Sequence, residues 1–148
     1  MDTDKKIQLN LPEIKDEYDK MKISLIQDFP ECYQPISLAI DCERENRGKS
    51  AKEIEKQCYY EKSHMNFCIL STFCPTEARD LIDCYNGNII AINSQNHKKS
   101  KCSQLFNIFD ACLQKKTEQL EKEMNDSTYK PPPPKAKVVY VNENTKIN

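Results

Sequence analysis

Tryptophan is absent from this chain of 148 residues, and hydrophobic residues, at 38%, barely outnumber charged ones at 30%. A chain of this length is one domain's worth of residues with little material for an ordinary apolar core. Long hydrophobic runs are missing too. Ile89 to Ile92 is among the longest, far short of the roughly 20 residues that a membrane-spanning helix requires. Neither sign of charge dominates: the net charge is −1 with acids and bases interspersed, which gives no electrostatic reason to expect nucleic acid or an anionic membrane as partner. The opening stretch MDTDKKIQLNLPEIKDEYDK lacks an apolar h-region and is not an arginine-rich transit peptide, so no secretory signal is expected.

Catalytic and metal-binding patterns are also missing. His64 and His97 are the two histidines, and they read as a helix-surface residue and a loop residue, with no third group placed beside either. No two cysteines lie two to four residues apart, as structural zinc sites use, and no Cys-x-x-Cys redox motif occurs. Asp80, Asp83 and Asp110 lie among apolar residues, but charges on a helix usually form a solvated face. Lys98, Lys99 and Lys101 read as a solvated turn, with contact to lipid headgroups or an acidic partner as the alternative. No catalytic residue, metal or cofactor is therefore expected, and the chain does not read as an enzyme.

What the sequence does contain is eight cysteines, all used in four stretches with nine residues between each pair: Cys32 to Cys42, Cys58 to Cys68, Cys74 to Cys84 and Cys102 to Cys112. Eight cysteines in a short chain is the composition of a disulfide scaffold, in which each link adds roughly 2 to 4 kcal/mol. Such links persist in oxidising compartments.

Helical geometry explains the interval. A residue ten positions on lies about 80° short of three full turns and roughly 15 Å along the axis, so both cysteines share one broad face. Apolar residues then belong at +3, +4 and +7. Leu105, Phe106 and Phe109 fill these places after Cys102, Ala78 and Leu81 after Cys74, and Ile36 and Ala39 after Cys32, whereas Glu61 and Lys62 weaken the seam after Cys58. Pro75 suits the first turn of a helix beginning near Thr72, while Pro35 implies a kink or a helix starting after Cys32. Gly48 is a C-cap signal, and Ser50 with Glu53 forms a capping box. The turn-forming residues Asn86, Gly87, Asn93, Ser94 and Asn96 separate the third and fourth helices.

The expected fold is all-α: two tandem helical hairpins over 28–70 and 72–125, between a partly helical N-terminal arm, 1–27, and a proline-rich extended arm, 126–148. Antiparallel helices bring inner cysteines together and outer cysteines together, which predicts Cys42 with Cys58, Cys32 with Cys68, Cys84 with Cys102 and Cys74 with Cys112. In the first arm Ile7, Leu9 and Leu11 alternate like a strand, and Ile14, Tyr18, Met21 and Leu25 recur at helical spacing after Pro12. In the last, Pro131, Pro132, Pro133 and Pro134 force polyproline II, and Val138, Val139 and Tyr140 beyond them are expected to need a partner surface. Ile14 through Leu25 and the residues from Pro131 to Tyr140 are thus candidate partner-binding elements.

Four cysteine pairs at this spacing, two per hairpin over residues 32 to 112, resemble the coiled-coil-helix-coiled-coil-helix (CHCH) family of the mitochondrial intermembrane space. The resemblance implies import without a cleaved presequence and oxidation by the disulfide relay of that compartment. It also implies an apolar face beside a cysteine for the relay oxidoreductase, supplied by Leu25, Phe29 and Ile36 near Cys32 or by Leu105 and Phe109 near Cys112. The tandem of two units is most similar to the double-CHCH accessory-subunit members of respiratory complex I. A non-catalytic structural role on the intermembrane-space face of its membrane arm is therefore expected, peripheral to the membrane and held by other subunits. The alternatives are a structural subunit of another mitochondrial complex and a soluble assembly factor or carrier.

If all eight cysteines are paired, the oxidised chain takes up no thiol-alkylating reagent under denaturing conditions and takes up eight equivalents after reduction, as read by intact mass; any uptake before reduction refutes complete pairing.

Overall fold

The computed structural model describes residues 7–11, 14–93 and 101–140. It is predominantly helical, stapled by disulfides as in a CHCH-like fold, and among the described residues strand is confined to two short segments. The chain divides into two compact units, Met1–Glu61 with Pro133–Asn148, and Lys62–Pro132. The repeat read from the sequence changes over at 70–72, whereas this division falls inside a continuous helix.

In the first unit, β1 (Ile7–Leu11) precedes α1 (Glu17–Asp28). Asp16 caps α1, its side chain accepting a hydrogen bond from the Asp19 N–H at 2.9 Å. This places the helix start after Pro12, which lies outside the described residues. A single 3₁₀ turn, Pro30–Cys32, follows, and α2 (Tyr33–Glu45) begins only after it. Pro35 is thus the third residue of α2, where its missing N–H would have had no intrahelical acceptor, and the helix accommodates it without a break. Gly48 turns the chain at φ +91°, a left-handed conformation that an L side chain rarely adopts. Ser50 then caps α3 (Ala51–Gln57) by accepting from the Glu53 N–H at 3.2 Å.

Cys58 interrupts the expected second helix, with φ −105° and ψ 15°, and α4 (Tyr59–Phe73) starts immediately after it. The first unit buries Ile23, Ile26, Ile36, Ala39 and Ile40, with α1 packed along α2.

One expectation is overturned here. The segment around Val138, Val139 and Tyr140 finds its surface within the chain: β2 (Ala136–Tyr140) pairs in parallel with β1, in the register Ile7 with Ala136, Leu9 with Val138 and Leu11 with Tyr140. Each strand supplies the backbone hydrogen bonds that the other lacks. The apolar alternation of β1 matches a half-buried pleat, with Leu11 and Ala136 buried, Leu9 and Val138 partly so, and Lys137 exposed. Of the two strands, β2 lies against α1.

In the second unit α4 is followed by α5 (Pro75–Cys84), with Cys74 at its N-cap and Pro75 as its first residue, so the helix starts three residues later than the Thr72 expectation. Asn86 and Gly87, both at positive φ, reverse the chain before α6 (Ile89–Asn93). The long α7 (Lys101–Met124) packs along α5. Phe67, Cys74, Ala78, Leu81, Ile92 and Phe109 form the core of this unit, bordered by Leu105, Phe106 and Leu113. The Phe67 and Phe109 rings sit tilted with centroids 5.7 Å apart.

Leu81 is fully buried at the centre of this cluster. Leu81→Ala removes its methyl groups and leaves a void, and denaturant unfolding of the oxidised protein should show a loss of about 2 to 5 kcal/mol; a loss within error of zero would mean that this cluster is not a packed core.

Candidate functional site

The cysteines are the chemical centre of the molecule. Cys42 is bonded to Cys58, Cys84 to Cys102 and Cys74 to Cys112, with Cα separations of 5.8, 5.7 and 6.3 Å. Cys32 and Cys68 are disulfide-bonded as well, and no cysteine is free. Each of the three described bonds joins residues on either side of a reversal: α2 to the α3–α4 junction across the Gly48 turn, and α5 to α7 at both ends of their contact. The amide of Asn46 donates to the Cys42 carbonyl at 2.8 Å and lies 3.7 and 3.8 Å from the two sulfurs of the first bond, closing the turn beside it.

Two carboxylates approach these bonds, Glu61 beside Cys42 and Cys58, and Glu77 beside Cys74 and Cys112. The spacing would suit a metal, but sulfurs tied to each other are not thiolates, and thiolate is the form that ligates. The sulfurs likewise offer no nucleophile. His64 is partly buried on α4, and Asp80, Asp83 and Asp110 are exposed, the last accepting from the Gln114 amide at 3.0 Å. His97, Lys98 and Lys99 lie outside the described residues; Lys101 is the exposed first residue of α7. The described residues bring no acid, base and nucleophile together.

The proposed partner-binding residues are spread over several environments. Ile14 and Met21 are 41% and 47% exposed. Tyr18 and Leu25 are partly buried, and Pro131 to Pro134 are exposed. Val138 is half-buried in β2, whose backbone also includes Val139 and Tyr140. The α1 stripe read from the sequence is not the face that α1 buries. Ile23 and Ile26 are buried instead, roughly on the opposite side of the helix. Of the residues considered for relay docking, Ile36 and Phe109 are buried in the folded chain, at 0% and 4% exposure, so neither is part of its surface.

Sequence reading missed an ionic network that fixes α1 against α2. The guanidinium of Arg44, near the end of α2, donates to Asp19 and, at 3.0 Å, to Asp16, and stands 3.6 Å from Asp41; Lys22 reaches Asp41 at 2.6 Å. Arg44 also lies over the Tyr18 ring, 5.8 Å from its centroid, within cation–π range. The acids sit at the N-terminus of α1 and the base at the C-terminus of α2, so each also favours its own helix dipole. The signal was present as Asp16, Asp19 and Arg44, but pairing across more than twenty intervening residues is not visible in local spacing.

Sequence reading also missed a groove of about 320 Å³ lined by Leu70 and Phe73 of α4 and by Leu113, Lys116, Thr117, Gln119, Leu120 and Glu123 of α7. It exists because α7 runs well past its cysteine staple at Cys112. Its apolar stripe continues there through Leu120 and Met124, which remain 43% and 58% exposed. Comparison of the chain with protein-family models, with curated proteins and with solved structures finds no match.

The network is sensitive to acid. Burial opposes ionisation of Asp19, but the hydrogen bonds from Arg44 and the Lys15 N–H, with the positive charges of Arg44 and Lys22, outweigh it and hold the carboxyl below its ordinary value of 3.8. A depressed folded value contributes stability that is present above pH 3.8 and is lost as the pH falls through the folded value. Asp19→Asn should therefore cost stability at pH 7, by no more than about 1 kcal/mol at this partly exposed site, and the gap from the parent should close at strongly acid pH. A gap independent of pH would exclude this carboxylate as the source.

Proposed function

We propose that this protein is a non-catalytic structural accessory subunit of a mitochondrial inner-membrane complex, on the intermembrane-space side, with respiratory complex I as the leading assembly. The observation that carries the reading is the set of four nine-residue cysteine intervals, every member oxidised, with the described bonds tying helices across chain reversals. Bonds of this kind suit a compartment that oxidises small helical proteins after import, and they leave the sulfurs without redox or ligand chemistry.

The role is mechanical. A hairpin locked at both ends holds its exposed side chains in a fixed arrangement, so less conformational freedom is lost when a neighbour docks. The exposed side of α1 around Ile14 and Met21, and the extended run Pro131 to Pro134, are the contacts assigned to neighbouring subunits. A proline-braced segment is already extended and loses little entropy on binding.

The test is a native gel of gently solubilised mitochondria from cells carrying a tagged chain, stained for NADH dehydrogenase activity. Near-complete co-migration with that activity is the expected result. Migration as a small free species would replace the reading with that of a carrier or assembly factor, and migration with a different large band would keep the scaffold role and change the assembly.

A further inference from the structure

The groove on α7 is self-complementary, and we infer that it is the interface through which two copies of this chain associate as an antiparallel pair. Leu113, Lys116, Leu120 and Glu123 follow one another at intervals of three and four along one face of the helix. Lys116 and Glu123 are two turns, about 10 Å, apart, with Leu120 close to the midpoint. Among the described residues neither charged group has an ion-pair partner.

A two-fold axis through this midpoint, perpendicular to α7, lays Leu120 against Leu120 of a second copy. The same operation places each Lys116 opposite the other copy's Glu123, so that one rotation forms two ion pairs and buries the exposed apolar centre. Such an isologous contact needs a surface whose charges reverse about its centre. This face has that property, which a second copy satisfies automatically and any other partner would have to reproduce. Leu70 and Phe73, 39% and 44% exposed on α4, flank the seam and enlarge the apolar area. Glu118 and Lys122 project to the opposite side of α7 and stay in solvent. The contact is small by the standard of stable interfaces, so the association is weak and concentration-dependent. It does not depend on which larger assembly the chain joins.

Sedimentation equilibrium of the oxidised full-length chain tests this. The mass should rise with concentration from 17.3 kDa towards twice that value. Lys116→Glu or Glu123→Lys alone places like charges together at both pairs and should raise the dissociation constant by about tenfold. The double variant K116E/E123K restores opposite charges in reversed order and should return to within a few-fold of the parent. Leu120→Glu should abolish the dimer. Helicity and the absence of free thiols, checked in parallel, establish that each variant is folded, since all three positions are on the surface. A parent that stays at 17.3 kDa at every concentration overturns the inference, as does a double variant no better than the singles.

Discussion

Sulfur–sulfur bonds set the positions of the helices, because the side chains available could not do so alone. Among the described residues the large buried side chains are few: four isoleucines and Leu11 in one unit, and two phenylalanines, a leucine and an isoleucine in the other. The conformational entropy lost by ordering a chain of this length is of order a hundred kcal/mol, so a thin core leaves folding in need of another term. Closing loops of 16, 18 and 38 residues removes much of the freedom that folding would otherwise have to overcome. The packing is arranged around these closures. Cys74 is itself a core residue beside Ala78 and Phe67, and Asn46 folds back over the bond between Cys42 and Cys58.

Much of this was legible in the sequence because it is periodic or local. The nine-residue interval carries both the helix and the shared face, and the capping residue Ser50 and the turn at Gly48 depend only on neighbours a few positions away. Pro75 was also legible as a first-turn residue, although the start of its helix was not, since α4 runs on to Phe73 and only the N-cap geometry of Cys74 decides the boundary. The weak seam after Cys58 had a structural meaning: Glu61 and Lys62 stand where apolar side chains would have continued one straight helix, and the chain breaks at Cys58.

Features set by distant partners could not be read in the same way. α1 has two apolar stripes, Tyr18, Met21 and Leu25 on one side and Ile23 and Ile26 on another, and periodicity scores both. What selects the second is α2, through the ion pairs of its Arg44 with Asp19 and of its Asp41 with Lys22 together with packing. The strands were half-read: alternation identified β1, but a parallel partner separated by every described helix leaves no local signature. β2 therefore looked like an arm awaiting another protein, when the missing surface was β1 and α1.

That pairing has a consequence for how the chain is made. When the polypeptide emerges from a ribosome, Ile7–Leu11 comes out early, yet the only partner described for its backbone, Ala136–Tyr140, follows after all the described helices. Until then its hydrogen-bonding groups face water or whatever escort holds the nascent chain. Of the described elements the strand pair is thus the last that can form: a chain stalled or cleaved before residue 136 can possess all eight cysteines and every described helix and still leave β1 without the strand that pairs with it, an open edge.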